Sequence, residues 1–506
     1  MKRSSPSASP VLHASSLAST SSSNKRSRGD NEAQLHPPAS TSDEASTSSG
    51  LPSLHAPSLT APLKTPAFQK PACIATFSYD ENRGLHHDNQ SLGVYHPPPP
   101  PQFNRDADRG RGRVCGPDLK YGYERWKRRD ETVDEHLDSL LIALQHKANL
   151  ADPEGDQDRD RARADVITWR GIATKLCTTI FAENDYDSWQ LNVLQLGPTL
   201  YLEEFVPPKT RSQKAESTDQ RQLGFMYSGY AFESWCVSPA IPDTDAKAAA
   251  MDDRGEREPP PPPGWGGTIN NNVQWCAICK TTLGSNRLII GGEVDCIQPS
   301  ALSKFPASSA LLNASTLNPD DFVELKTSAE IRNERDAERF EGTKMLRFYF
   351  QSFLLGVPTI VTGFRDRAGF LADVQSIPTL NLPRIVRGRN PDLEAGKGLA
   401  FADQTLQWIR DCISRDTQTT TSAPPDVEEA ERSFPVFRIS FSPSASGAPR
   451  GVSNHNSRGG SLSIRRLTDA EVREDIKGGT DQGRVGFLPS SFYTFAREKL
   501  GTSAGI

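Results

Sequence analysis

Gly291-Gly-Glu-Val-Asp-Cys-Ile297 and, beyond a polar insertion, Val323-Glu-Leu-Lys326 put charged side chains inside two stretches that otherwise read as buried strand. Side chains alternate between the faces of a strand. Glu293 and Asp295 are therefore expected on one face with Val294 opposite, and Glu324 and Lys326 on one face with Leu325 opposite. Two carboxylates side by side against an apolar core are costly unless a cation neutralises them. The two stretches are read as neighbouring strands that present acids to a divalent cation. Mg²⁺ or Mn²⁺ suits such a place, because it takes oxygen ligands in octahedral geometry, near roughly 2.0–2.1 Å for Mg²⁺. One or two such ions would acidify water and neutralise phosphoryl oxygens during an in-line displacement, with Lys326 steadying the charge that develops.

Working outward, a further acid stands in Ser228-Gly-Tyr-Ala-Phe-Glu-Ser-Trp-Cys236, where Glu233 has aromatic and apolar neighbours. The period there is ambiguous, but a helix facing the sheet would aim Glu233 at the ion. Arg339 to Leu355 has a helical pattern stopped by Gly356 and Pro358. Lys344, Arg347 and Gln351 share one stripe of it, which is either a solvated face or a second wall of the site. The nine histidines lie away from all these stretches, which argues against His-ligated zinc and against a Ser-His-Asp mechanism. Cys276-x-x-Cys279 is half a zinc motif with no second pair at ligand spacing, so it reads as strand.

The remaining elements follow from periodicity. Helices are expected from Thr132 through Leu144, over Val166 to Phe181, and over Leu399 to Cys412. Strands are expected at Gln190–Leu194 and Leu200–Leu202 around a Gly197-Pro198 turn, at Val273–Thr281, Arg287–Ile297, Phe322–Thr327, Thr359–Thr362 and Val436–Phe441. The class is mixed α/β, with strands central and helices around them.

Only 35% of the 506 residues are hydrophobic, and 39 prolines and 37 glycines occur in clusters, so long polar insertions must accompany the core. Residues 1 to about 70 read as a disordered Ser/Pro-rich tail. Residues 71–500 read as one catalytic domain, with insertions near 152–163, 238–267, 299–319, 414–433 and 443–460. No apolar run approaches the roughly 18 residues a membrane span needs, and residues 1–50 lack the apolar stretch of a secretion signal. A soluble, intracellular protein with free thiols is expected from its eight scattered cysteines. The net charge of −5 excludes a general polyanion binder, so any nucleic-acid contact is local. Asn24-Lys-Arg-Ser-Arg28 is either a nuclear-import signal or an ordinary basic cluster in a tail.

An acid pair followed by Glu-x-Lys resembles the arrangement of the PD-(D/E)xK nuclease superfamily. In order, Phe77-Ser-Tyr-Asp-Glu-Asn-Arg83, Arg128-Arg-Asp-Glu131, Gly229-Tyr-Ala-Phe-Glu233, Gly292-Glu-Val-Asp295, Glu324-Leu-Lys326 and the block from Gln351 through Val361 to Gly363-Phe-Arg-Asp366 resemble the DXO family of RNA 5′-end quality-control enzymes. The resemblance runs from about Thr76 to Phe495. It implies a metal-dependent hydrolase that removes pyrophosphate from 5′-triphosphate RNA and incomplete or NAD caps from RNA. It further implies a nuclear role beside a 5′→3′ exoribonuclease partner. Glu233, Glu293, Asp295, Glu324 and the Leu325 carbonyl would bind the metal, and Lys326 and Gln351 would contact the scissile phosphate and water. Arg129 and Arg83 would bind RNA phosphates, while Cys276 either lines the pocket or is a buried strand residue. A non-catalytic stabilising partner of the exoribonuclease, or a DNA nuclease of the same superfamily, are the alternative readings.

Overall fold

The computed structural model describes residues 51–499, apart from 58, 60, 106–111, 151–163, 183–186, 217–218, 241–259, 305–316, 418–425, 444–458 and 480–482. The first fifty residues of the expected tail lie outside the described residues, as do residues 152–163 and most of each of the insertions 238–267, 299–319 and 443–460. Of the insertion expected over 414–433, the first residues complete the long Ala395–Thr417 helix and the last form a short helix, Val427–Arg432.

Among the described residues, β-branched and aromatic runs assemble two large sheets. The first has ten strands in the order Leu54–His55, Gly460–Arg466, Val436–Pro443, Trp189–Leu196, Thr199–Phe205, Val166–Trp169, Asn286–Glu293, Gln274–Leu283, Ala72–Tyr79 and Leu85–His86. The second has six, in the order Val237–Pro239, Gly93–Tyr95, Cys296–Ile297, Phe322–Ala329, Thr359–Arg365 and Leu371–Pro378. Parallel and antiparallel pairs mix in both: Phe322–Ala329 runs parallel to Thr359–Arg365, which is antiparallel to Leu371–Pro378.

The largest core lies where residues of both sheets meet the helices Arg170–Thr178, Met345–Leu355 and Ala395–Thr417, which pack on one another. A second core, under the helix Asp138–Leu150 and the C-terminal helix from Ser490, uses other residues of the ten-stranded sheet, such as Phe77, Ile167 and Ile278. A third forms where the helix Gln220–Cys236 lies against the Phe322–Ala329 strand.

Four expectations need correction. Val166–Trp169 is a strand, parallel to Leu288–Gly291, and the helix begins only at Arg170; the run Val-Ile-Thr-Trp is strand-forming in its own right. The helix expected from Thr132 starts at Asp138, and Val133 is exposed. The Arg339–Leu355 helix is broken by a kink, with non-helical backbone at Gly342. The boundary at residue 70 also moves forward. Leu54 and His55 pair with Leu462 and Ser461, the Trp408 indole donates to the Pro52 carbonyl at 3.0 Å, and Leu59 is buried.

Candidate active site

The strand expected over Arg287–Ile297 ends at Glu293, and pairing resumes at Cys296 in the other sheet. Glu293 and Asp295 therefore do not share one face of a continuous strand. The chain crosses from one sheet to the other between them, and the acid pair marks the seam. Cys296 pairs with Val323, which brings Asp295 beside the Glu-Leu-Lys stretch, and the Asp295 carboxylate accepts the Leu325 N–H at 2.6 Å.

Glu324 is the centre of the arrangement and is wholly buried. One oxygen accepts from the Lys326 ammonium at 2.5 Å and the other from the Arg170 guanidinium at 2.8 Å. Arg170 opens the helix that follows the Val166–Trp169 strand, and Gly292 lets that helix close in. A Cβ there would lie 3.0 Å from Arg170 Cβ and 2.7 Å from Leu355 Cδ1. Leu355 ends the helix that carries Gln351 one turn earlier, so Gln351, half-buried, belongs to the same wall. Glu233 sits half-buried in the last turns of Gln220–Cys236, confirming the helical alternative, on the side of that helix packed against the Phe322–Ala329 strand.

The electrostatics bind these groups together. Burial, then the Asp295 and Glu293 charges, hold the Glu233 carboxyl well above the usual range. Asp295 is pushed up to about 7, by burial first and Glu324 next. Burial also raises Glu293, against the pull of Arg170. Glu324 goes the other way, since the opposing effect of burial is outweighed by Arg170 and then Lys326. Lys326 stays charged because Glu324 and Asp295 overcome its burial. Four acids sharing one low-dielectric space with two cations is the pattern of a working site rather than a structural ion pair.

The side chains do not, however, converge on one point. Among the described residues no three acidic, histidine or cysteine side chains stand close enough together to hold a single ion. The cause is local. Glu324 is turned to Arg170 and Lys326, Asp295 to the Leu325 amide, and Glu293 to Gln274 Nε2 at 3.0 Å. The donor set nevertheless fits a hard divalent cation in kind: carboxylate oxygens in excess of the cations beside them, with burial penalising the excess charge.

Cys276 is the register partner of Glu293 and is buried; burial, then Glu293, pushes its thiol up. Arg83 donates to both oxygens of Glu135 at 2.7 Å, to the Asn272 carbonyl at 3.0 Å and to Gln274 at 2.6 Å, and stacks 3.5 Å from the Tyr79 ring centroid. Those contacts engage it as a brace for Gln274 and hence Glu293. Arg129, more exposed and tied only at 3.7 Å to the same Glu135, is the better placed of the two for an anion. Arg347 is exposed and pairs with Asp187, whereas Lys344 of the same stripe turns inward.

Sequence reasoning missed Arg170 and Tyr230. The signal for the first was charge balance: four acids and one lysine in a buried site require another cation. Tyr230 stands one helical turn before Glu233, and its hydroxyl is pushed up to about 12 by burial and then by Glu233 and Glu293.

A family model described as RAI1 like PD-(D/E)XK nuclease matches residues 69–490. The decapping nuclease RAI1 of Mycosarcoma maydis is 37% identical over 483 residues, covering 87% of this chain and 89% of that protein. The human decapping and exoribonuclease protein is 34% identical over 358 residues, covering 69% of this chain and 77% of its own. The structure of Candida albicans Rai1 in complex with pU5 and Mn²⁺ superposes with a TM-score of 0.59 over 88% of this chain and 99% of that one, at 20% identity. An acid pair at the seam of two sheets, a Glu-Leu-Lys strand beside it and a family match from residue 69 to 490 agree that this chain belongs to the RAI1-like PD-(D/E)XK nuclease family.

Proposed function

We propose that the chain is a metal-dependent hydrolase of RNA 5′ ends, releasing pyrophosphate from 5′-triphosphate RNA and removing incomplete or NAD caps. The observation that carries this reading is the clamped Glu324, held between Arg170 and Lys326 and flanked by Glu293, Asp295 and Glu233. The relatives that the chain resembles are named for decapping, and a structural neighbour was crystallised with pU5 and Mn²⁺.

A divalent cation bound by the carboxylates would neutralise the scissile phosphate and acidify water. The chain's own groups do the rest. Lys326 and Arg170 offer positive charge to phosphoryl oxygens as charge builds in the displacement. Glu233, whose charge is opposed by burial and by its acidic neighbours, is the carboxylate that stands to gain most from a bound cation. Arg129 at the rim would draw in the RNA backbone.

The test is product analysis on RNAs that differ only at the 5′ end, with pyrophosphate, cap dinucleotide, NAD and mononucleotides separated. Glu293→Ala or Asp295→Ala should abolish release from triphosphate RNA in Mg²⁺ or Mn²⁺ with folding intact; unaltered turnover would remove the site assignment. Equal cleavage of DNA ends would favour a DNA nuclease instead. Service to a 5′→3′ exoribonuclease in the nucleus belongs to the same proposal. Co-purification of the two proteins, with Glu293→Ala retaining the partner, is its expected result, and no co-purification with either form would remove it.

A further inference from the structure

The sheet gives the second thiol of Cys276-x-x-Cys279 a partner outside that motif. Three residues apart on the Gln274–Leu283 strand, the two side chains lie on opposite faces, Cys276 in the core under the Asp138–Leu150 helix and Cys279 in the largest core. Directly opposite Cys279, on the antiparallel strand Ala72–Tyr79, stands Cys73. A bulge puts it there. Ile278 pairs with Ala75, so an even register would set Ile74 against Cys279; the pairing instead skips Ile74, and Cys73 packs against the same core as Cys279.

Residues opposite one another on antiparallel strands have Cα atoms roughly 4.5–5.5 Å apart, inside the roughly 4.4–6.8 Å that a disulfide spans. The two thiols touch: the hydrogen bond with Cys73, and then burial, holds the Cys279 thiol well above its ordinary range. Their surroundings differ. Cys279 is buried and donates to the Leu355 carbonyl at 3.8 Å. Cys73 is half-buried and donates to the Ala75 carbonyl at 3.5 Å. Among the described residues its strand has a neighbour on one side only at that point, since Leu85–His86 pairs just with Ser78 and Tyr79. A reachable thiol beside a buried one is the arrangement of an attacking and a resolving cysteine. Cys115, the other half-buried cysteine, has Gln102 opposite it instead.

We infer that Cys73 and Cys279 form a redox site that exchanges with a low-molecular-weight disulfide. The Cys73 thiolate attacks one sulfur of the small disulfide, and the other leaves as a thiolate with the bonding electron pair and takes up the Cys73 proton. The Cys279 sulfur then attacks Cys73 in this mixed disulfide and expels the second small thiolate, which takes the Cys279 proton. Two protein thiols are oxidised to one S–S bond, and one small disulfide is reduced to two thiols. The bond is reversible, because forming it forfeits the thiol hydrogen bonds to the Leu355 and Ala75 carbonyls that stabilise the reduced pair.

The folded full chain is equilibrated in glutathione buffers from reducing to oxidising, quenched in acid, alkylated and digested without reduction. A peptide joining Cys73 to Cys279 should appear, and the ratio of linked to unlinked chain should follow glutathione disulfide over the square of glutathione. A mixed disulfide of glutathione at Cys115 should follow only the first power, and excess glutathione should remove the Cys73–Cys279 link. Cys279→Ala should leave glutathione on Cys73, and Cys73→Ser should leave Cys279 unmodified. No joined peptide at the most oxidising ratio overturns the inference, as does a link that survives excess glutathione. If Cys279→Ala unfolds, Cys73→Ser decides, since that side chain is only half-buried: glutathione on Cys279 in that variant overturns the assignment of Cys73 as the attacking thiol.

Discussion

Glu324 shows how far one residue's burial governs the rest. A carboxylate with no exposure must be matched by charge, and the charge of Arg170, 13% exposed, is the largest attraction acting on it, ahead of the Lys326 charge. Arg170→Leu should therefore cost about 3–5 kcal/mol in urea unfolding, the range for breaking a buried pair. A loss under about 1 kcal/mol would mean that the pair behaves as a surface bridge. Glu233 has the opposite balance, since burial and three acidic neighbours all act against its charge. Glu233→Gln should raise the melting temperature in EDTA, by on the order of 1 kcal/mol in stability, and shrink the further rise that Mn²⁺ produces. A lower melting temperature in EDTA would show that the carboxylate is held by contacts rather than opposed by them. At this scale the sequence made the acids legible, because a charge at a strand's buried positions has no bland explanation. Arg170 was hidden because an arginine within a helix pattern is normally a solvated one.

Elements carry these residues to their places, and glycine at the seam is the clearest constraint. Gly292 is where the Arg170 helix and the Leu355 end of the Gln351 helix both touch the acid-bearing strand. Gly292→Ala should force both helices outward, costing about 1–3 kcal/mol and most of the activity, read by unfolding and turnover together. Wild-type turnover in that variant would mean the helices can move without disturbing the site. A capping box farther off gives a pH test. Glu471 is held down to about 2, by the Arg465 hydrogen bond first and then by the Thr468 cap contacts. Its lowered pKa means that the stability it adds is present above the unfolded value near 4.5 and is lost as pH falls toward 2. Glu471→Gln should cost about 1 kcal/mol at pH 7, discounted for partial exposure, and roughly a quarter of that at pH 2.5. Equal cost at both pH values would exclude a charge effect. Strand existence was legible throughout the seam, but the break at Val294 was not, because buried Val294 between two charged residues looks the same on one strand or across two. Likewise the kink at Gly342 leaves the helical pattern of Lys344, Arg347 and Gln351 intact in sequence, while Lys344 turns inward and Arg347 stays in solvent.

At the level of the molecule, the two sheets meet at the acids, and the helices that line the site form part of a core to which the segment before residue 70 also contributes. Ala56 donates to the Gly460 carbonyl at 2.8 Å, Lys397 donates to the Leu59 carbonyl, and Gln69 donates to the Thr282 carbonyl at 2.9 Å. Phe68 packs against Phe353 of the Met345–Leu355 helix, the rings tilted with centroids 4.5 Å apart. Composition could not show this, since a Ser/Pro-rich segment that lies along a finished surface needs only a few anchors, here Leu54, Leu59 and Phe68, and carries no period of its own. A chain beginning at residue 71, where composition first suggests a folded body, should thus lose the edge strand and the Phe68–Phe353 contact. Its melting temperature should fall well below that of a chain beginning at residue 51, by about 2–4 °C for each kcal/mol removed. Its turnover should fall too, because Phe353 lies on the helix that positions Gln351. Equal melting temperatures and equal turnover for the two truncations would show that these contacts decorate the body without supporting it.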